Sequence, residues 1–169
     1  MKVLIVVDMQ NDFVYGSLGS KQAESIVKGI ADYASSFEGE VVYTRDTHTS
    51  SYMTTEEGKN LPVAHCVKGT NGHEIIDSLK ALSLNCKIID KPTFGSVELG
   101  EYLKSLDDIE SVTLVGLCTD ICVISNALLI KAFLPNTPVF VKKDLCRGSS
   151  EEGHDNAINA MKNCQIHII

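Results

Sequence analysis

Residues 111–133, SVTLVGLCTDICVISNALLIKAF, pair a short apolar run with a longer apolar stretch, and a polar turn separates the two. The run 112–117 is rich in β-branched residues and predicts a strand that is buried on both faces. Residues 120–133 predict a helix that is apolar on nearly every side, and therefore a central, buried one. A strand that leads directly into a helix is the repeating unit of α/β folds.

The same alternation of strand and helix patterns extends along the whole chain. Further apolar runs predict strands at 3–7, 41–44, 87–89, 138–141 and 166–169. Apolar residues spaced three or four apart predict helices at 23–34 and 157–161, and 96–106 also has a helical pattern. We therefore expect a single domain, residues 1–169, with a three-layer doubly wound α/β fold around a mainly parallel sheet of about six strands.

Composition restricts the kinds of partner. The 169 residues carry a formal net charge of −7, and the 15 Lys and Arg residues are spread along the chain. Because nucleic-acid binding needs clustered positive charge, we expect no nucleic-acid partner. The apolar run near residue 1 is too short to span a membrane and lacks the cleavage pattern of an export signal. We expect a cytoplasmic protein with no membrane partner, whose cysteines are reduced thiols.

Polar side chains follow the first four predicted strands. In chain order they are Asp8, then Arg45, Asp46 and His48, then Asp90 and Lys91, and finally Cys118 and Cys122. In an open α/β sheet, ligands bind at the carboxyl ends of the strands, beside the point where the strand order reverses. We therefore expect these side chains to converge at one edge of the sheet.

Cys122 is the candidate nucleophile. It lies where the apolar helix begins, and there the helix dipole favours a thiolate and free N–H groups can hold an oxyanion. Taken alone, it is more simply interpreted as a buried core cysteine. Asp8 could accept its proton and Lys91 could stabilise the thiolate, so the three together indicate cysteine-based catalysis. The spacing from Cys118 does not match the Cys-x-x-Cys motif of dithiol redox proteins.

A second group of polar residues suits a metal ion. Asp46 and His48 follow the second strand, and the long loop at 47–72 adds Glu56, Glu57 and His65. Imidazoles and carboxylates together suit a divalent ion such as zinc, manganese or iron. On spacing alone, an acidic, solvated loop with two incidental histidines explains the pattern equally well. A loop of this length inside a domain is, however, more often functional than not.

Five segments together resemble the nicotinamidase and pyrazinamidase group of the isochorismatase-like cysteine hydrolases. In the order typical of that family they are LIVVDMQNDF around Asp8, TRDTH around Asp46 and His48, PVAHCVKGT around His65, KPTFGS around Lys91, and VGLCTDICV around Cys122. They cover most of residues 1–150. The resemblance implies an amidohydrolase that converts a small amide, nicotinamide first among them, to the acid and ammonia through a thioester. Such a step would recycle pyridine nucleotides.

The resemblance also implies roles for individual residues. It implies a catalytic triad of Asp8, Lys91 and Cys122, an oxyanion hole made by the N–H groups of Cys118 and Cys122, and a cis peptide bond between Leu117 and Cys118. The implied metal ligands are Asp46, His48, His65 and a glutamate between the two histidines, Glu57 in preference to Glu56. Zinc is the favoured ion, with manganese or iron as alternatives. Because relatives are often dimers or tetramers, we expect a homo-oligomer.

The expected substrate pocket departs from that of several relatives. They place an aromatic side chain near the metal loop, whereas this chain has no tryptophan and has Pro62 and Val63 there. Phe13, together with Phe94 or Tyr52, would then have to form the flat apolar wall. Such a pocket leaves open another heteroaromatic or aliphatic amide, or an N-carbamoyl substrate.

Three other functions compete with amide hydrolysis. Isochorismatase-type vinyl-ether hydrolysis generally does without the cysteine and the metal ligands that this chain has. A mononuclear iron oxygenase usually has a β-barrel fold, which the alternating pattern does not support. A non-catalytic flavodoxin-like protein that binds a small molecule or a metal would leave Asp8, Lys91 and Cys122 without a shared purpose.

Overall fold

A six-stranded parallel sheet forms the middle layer of the protein. The computed structural model describes residues 1–169. The strands are β1 Lys2–Val7, β2 Glu40–Asp46, β3 Lys87–Lys91, β4 Ser111–Leu117, β5 Val139–Arg147 and β6 His167–Ile168. Their order across the sheet is β3-β2-β1-β4-β5-β6, and every neighbouring pair is parallel. The expected sheet of about six strands is confirmed.

Seven helices accompany the sheet. They are α1 Asn11–Val14, α2 Lys21–Ser35, α3 Glu56–Asn60, α4 Asp77–Ser83, α5 Val97–Lys104, α6 Ile124–Phe133 and α7 Glu151–Asn163. One apolar cluster packs α2 and α4 on one face of the sheet, and a second packs α5, α6 and α7 on the other. Successive residues of β1 contribute to the two clusters in turn, because side chains alternate between the faces of a strand. The three-layer doubly wound architecture is confirmed. No helix of the protein combines the length and the apolar character needed to cross a bilayer.

The apolar stripe predicted at 23–34 is the buried face of α2. Ala23, Ile26 and Ile30 lie on this face, and each is at most 3% exposed. Ser20 caps the helix, since its side chain accepts a hydrogen bond from the N–H of Ala23 at 3.0 Å.

The structure corrects the expectation that the helix at 120–133 is buried on all sides. Ala127 and Ile130 of α6 pack in the core, but Leu128 is 39% exposed. In a three-layer fold α6 is an outer layer, so only one of its faces meets the sheet. Its apolar composition therefore does not imply burial all round.

Gly116 allows β4 to run close beside β1 where both strands end. Its φ is +118°, and a side-chain carbon at this position would lie 2.2 Å from the carbonyl oxygen of Val7. Any larger residue would force the two strands apart. The strand order reverses between these two strands, so the loops that follow them diverge and leave a crevice.

Candidate active site and metal centre

The three residues of the expected triad meet in the crevice between β1 and β4. Nζ of Lys91, at the end of β3, lies 2.7 Å from Oδ2 of Asp8 and 3.4 Å from Sγ of Cys122. Asp8 and Lys91 are fully buried, and Cys122 is 5% exposed. Oδ1 of Asp8 accepts a hydrogen bond from Oγ1 of Thr44 at 2.6 Å, whereas Oδ2 has only its ion pair with Lys91. Oδ2 is therefore the atom of Asp8 that can take up a proton.

A single π-helical turn carries the thiol of Cys122 from the end of β4 to the start of α6. This turn spans Thr119–Val123 and follows a cis peptide bond between Leu117 and Cys118, as the resemblance implied. The main chain of the turn is held by the carbonyl oxygen of Cys118, which accepts two N–H bonds from within it. Cys118 and Cys122 both line the same cavity.

Burial opposes ionisation of the Cys122 thiol. Burial, and then the negative charge of Asp8, raises the pKa of the Cys122 thiol well above its usual value, and Lys91 opposes this only in part. Burial also raises the pKa of Asp8, against the lowering effect of Lys91. Desolvation of the charge therefore opposes the expected effect of the helix dipole on this thiol.

Lys91 keeps its proton in this environment. Burial alone would lower the pKa of its ammonium, but Asp8, Cys122 and Asp46 together raise that pKa above its ordinary value. Lys91 is therefore the cation that Asp8 and Cys122 share.

Four side chains beside the triad direct their ligand atoms to one point. Oδ2 of Asp46 is 2.8 Å from Nε2 of His48 and 3.4 Å from Nε2 of His65. Oε1 of Glu57 is 3.6 Å and 3.7 Å from the same two nitrogen atoms. Two atoms bound to one ion at about 2.0–2.2 Å lie about 3–4 Å apart. The four residues, whose ligand atoms all lie within 4.8 Å of one another, therefore fit a single divalent ion.

The hydrogen bonds of these residues also suit a metal ion. Nδ1 of His65 lies 2.8 Å from the carbonyl oxygen of Val63. A carbonyl can only accept, so Nδ1 carries the proton and Nε2 presents its lone pair. Although burial favours the neutral acid, the contacts of Asp46 with the two histidines and the positive charge of Lys91 hold the pKa of Asp46 well below its usual range. Oδ1 of Asp46 lies 3.2 Å from Nζ of Lys91, so this one carboxylate joins the four-residue group to the triad.

Glu57, rather than Glu56, faces the two histidines. The side chain of Glu57 is 18% exposed, whereas that of Glu56 is 85% exposed and lies 3.8 Å from Nζ of Lys59. Both glutamates are in the first turn of α3, which is capped by the side chain of Thr55. The turn of the helix thus directs one glutamate inward and the other to solvent.

Substitution of these two neighbours provides a matched test of the four-residue group. We expect Glu57→Gln to weaken zinc binding by at least about tenfold. Removal of a residue that only orients a metal ligand typically lowers metal affinity by about this factor, and loss of a ligand should lower it by more. Glu56→Gln removes the same charge from the same helical turn and should bind zinc like the wild type. Competition for zinc with a chromophoric chelator measures both affinities. An equal loss in the two variants would show that net charge, and not ligation, sets the affinity.

A cavity of about 310 Å³ connects the triad to the four-residue group. Its apolar walls include Phe13, Leu18, Leu61, Phe94, Leu117 and Ile121. Phe13 and Phe94 therefore line the cavity as expected, whereas Tyr52 packs behind it, with ring centroids 4.7 Å from His48 and 4.9 Å from His65. Ligand sites usually measure about 300–1,000 Å³, so this cavity suits one small molecule.

A larger depression of about 450 Å³ opens beside this cavity and shares Ser20, Gly148 and Ser149 with it. No apolar side chain lines the depression, and no member of the triad or of the four-residue group reaches it. The reactive groups therefore belong to the smaller cavity.

Sequence reasoning missed Asn126, which supports the site from within α6. Its amide donates to the carbonyl oxygens of Phe94 at 3.0 Å and Cys122 at 2.8 Å, and it accepts from the N–H of Ser96 at 2.9 Å. It therefore ties the loop after β3 to the turn that carries the thiol. The only amide side chain in a largely apolar helix is the signal that could have indicated this role, because buried polar groups need partners.

A doubly wound α/β fold with a thiol, a carboxylate and an ammonium buried around one small cavity is that of an enzyme. The sequence pattern of the isochorismatase domain family matches residues 2–169, and the chain belongs to this family. The non-catalytic flavodoxin-like alternative is therefore not supported.

The chain is similar to known amidohydrolases over most of its length. It is 28% identical to the nicotinamidase of Saccharomyces cerevisiae, with 76% of this chain and 80% of that protein covered. It is 26% identical to the nicotinamidase/pyrazinamidase of Mycobacterium tuberculosis, with 100% and 98% covered. The crystal structure of the pyrazinamidase of Pyrococcus horikoshii in complex with zinc superposes with a TM-score of 0.83 at 29% identity, covering 99% of this chain and 98% of that one. The family and these relatives identify the chain as an amidohydrolase.

Proposed function

We propose that this enzyme hydrolyses nicotinamide to nicotinic acid and ammonia, and that Cys122 carries the acyl group as a thioester. One observation carries the proposal: Sγ of Cys122 lies 3.4 Å from Nζ of Lys91, at a small cavity that also contains atoms of the four-residue group. Similarity to nicotinamidases and pyrazinamidases supports the choice of substrate. The volume of the cavity supports an amide with a single ring.

In the first half of the reaction, Asp8 takes the proton of Cys122 and the sulfur attacks the carbonyl carbon of the amide. The negative charge thereby moves from Asp8 to Cys122, and Lys91 adjoins both groups. The thiolate that forms is paired with the ammonium of Lys91, just as the carboxylate of Asp8 was. This pairing lowers the cost of ionising a thiol whose pKa is high. The N–H groups of Cys118 and Cys122 hold the developing oxyanion. Asp8 then returns the proton to the leaving nitrogen, the C–N bond breaks, and ammonia departs.

In the second half, water hydrolyses the thioester. Asp8, again a carboxylate, accepts a proton from the attacking water. The C–S bond breaks, the thiol of Cys122 recovers its proton, and the carboxylic acid is released. One amide and one water thus give one acid and one ammonia, and the enzyme returns to its starting state.

Asp46, His48, Glu57 and His65 would hold a divalent ion, for which we propose zinc. Two imidazoles and two carboxylates suit zinc, and the similar pyrazinamidase of Pyrococcus horikoshii is a zinc complex. When bound, the ion supplies a Lewis-acidic position for a substrate nitrogen or for water. The four residues themselves fix where this position lies relative to Cys122, because Asp46 also contacts Lys91.

Phe13 is the residue that we propose as the flat wall for the substrate ring. Its ring centroid lies 5.4 Å from that of His65, with the planes tilted by 56°. It therefore stands beside the four-residue group at the cavity wall. A ring that stacks on Phe13 would have its heteroatom close to this group, which favours a pyridine or pyrazine amide over an aliphatic one.

Ammonia release from a panel of amides tests the substrate directly. We expect hydrolysis of nicotinamide and pyrazinamide with kcat/KM far above that for benzamide, which lacks the ring nitrogen, and above that for small aliphatic amides. Benzamide is the matched control, because it keeps the ring and the amide. Hydrolysis of an N-carbamoyl amine with nicotinamide left untouched would contradict the proposed substrate and leave the family assignment in place.

A further inference from the structure

The segment that follows Asp8 contacts the main chain beside the metal-binding residues. Gln10 is fully buried. Its Nε2 donates to the carbonyl oxygens of Asp46 at 2.8 Å and His73 at 2.9 Å, and its Oε1 accepts from the N–H of Asp46 at 2.7 Å. One side-chain amide thus binds both main-chain polar groups of Asp46.

The amide of Gln10 takes the place of a missing strand partner. Pairing between β1 and β2 ends at Val6 and Tyr43, because the chain turns away from β2 at Asp8, where φ is +49°. On the side of β1, Asp46 therefore has no strand beside it. The side chain of Gln10 presents a donor and an acceptor to Asp46, as the main chain of a neighbouring strand would. It therefore takes the place of β1 beside the last residue of β2.

Asp12 holds the main chain next to His65. Its Oδ2 accepts a hydrogen bond from the N–H of Cys66 at 2.8 Å. Cys66 follows His65 directly and has a φ of +46°, and its carbonyl oxygen accepts from the N–H of His48 at 3.0 Å. Cys66, whose N–H Asp12 holds, therefore links the two histidines of the four-residue group. It follows His65 directly, and its carbonyl oxygen binds the N–H of His48.

We propose that Gln10 and Asp12 are positioning residues for the metal centre: Gln10 fixes Asp46, and Asp12 fixes His65 and His48 through Cys66. The segment 8–12, which carries the catalytic carboxylate of Asp8, thus also fixes the positions of three of the four ligands. The inference rests on the metal site of the proposed function and is independent of the substrate.

Asn11 offers a matched control within the same segment. Its side chain donates to the carbonyl oxygen of Asn71 at 2.8 Å and makes no hydrogen bond to Asp46, His48, Glu57 or His65. Asn11→Ala therefore removes a hydrogen bond from the same short segment without touching the metal centre.

The test measures zinc affinity in the full-length protein after its metal has been removed, by competition with a chromophoric chelator. We expect Gln10→Met and Asp12→Ala to bind zinc about 10–100-fold more weakly than the wild type, because residues that orient metal ligands typically contribute this much. Asp12→Asn keeps an oxygen that accepts the N–H of Cys66 and should restore affinity close to that of the wild type. Asn11→Ala should bind zinc like the wild type.

Circular dichroism of the metal-free variants verifies that each is folded before its affinity is compared. Wild-type zinc affinity in folded Gln10→Met and Asp12→Ala would overturn the proposal. A loss in Asp12→Asn equal to that in Asp12→Ala would overturn the role of Asp12, because the charge and not the hydrogen bond would then be responsible. Failure of the enzyme to hydrolyse nicotinamide would refute the proposed function and leave this zinc measurement unaffected.

Discussion

Cys122→Ala should lower kcat/KM for nicotinamide by on the order of 10³-fold or more, because loss of the attacking atom removes the covalent route altogether. Only the binding groups and the oxyanion hole would remain. The fold should survive, since the change deletes one sulfur atom and leaves the buried Asp8–Lys91 ion pair intact. Steady-state ammonia release measures the loss, and thermal unfolding verifies that the variant is folded.

Cys164→Ala is the matched control for this prediction. Cys164 is an exposed free thiol at the end of α7, and it does not line the cavity. Its removal should leave kcat/KM unchanged. Retention of most of the activity in folded Cys122→Ala would refute the thiol as nucleophile.

Lys91→Met should abolish activity and also destabilise the protein by about 3–5 kcal/mol, the usual cost of leaving a buried charge without its partner. Lys91 is fully buried and pairs with Asp8 at 2.7 Å and Asp46 at 3.2 Å, so its loss leaves two carboxylates without their shared cation. A loss of this size lowers the Tm of a domain of this length by about 10 °C. Calorimetry of the metal-free protein measures this change.

The double variant Asp8→Asn, Lys91→Met separates stability from catalysis. It removes both charges of the shortest ion pair, so it should be more stable than Lys91→Met alone and remain equally inactive. A double variant no more stable than Lys91→Met would show that the missing packing of the lysine chain, and not the uncompensated carboxylate, causes the loss.

Much of the fold could be predicted because its signals are local. The β-branched runs and the apolar stripe of α2 are patterns within single elements, and burial in a three-layer fold follows from them. β5 continues to Arg147, beyond the predicted end at 141. Residues 142–144 are polar and lie beyond the part of β5 that pairs with β6, which ends at Val141, so this part of the strand has no apolar pattern that would predict it. α3 and α4 are only five and seven residues long, too short to give a periodic pattern.

The candidate site was predictable where chemistry follows directly from residue type at a strand end. Asp8, Lys91 and Cys122 come from such positions. The spacing of the four residues of the candidate metal site left a solvated loop equally possible, and only the family resemblance indicated a metal site there. The roles of Gln10 and Thr44 could not be predicted in this way, because their partners lie 36 or more residues away along the chain. The contacts of Asn126 with the loop after β3 likewise span 30 or more residues. The raised pKa of the Cys122 thiol could not be predicted from the sequence either, since it depends on how completely the folded chain excludes water.

The central claim is a thioester on Cys122, and partitioning of the acyl group between water and hydroxylamine tests it most directly. Nicotinamide and methyl nicotinate share one acyl group and differ in the leaving group. If both form the same acyl-enzyme, the ratio of hydroxamate to nicotinic acid at a given hydroxylamine concentration must be the same for the two substrates. We predict equal ratios. Ratios that differ between the two substrates, or hydrolysis with no hydroxamate from either, would contradict a common thioester intermediate.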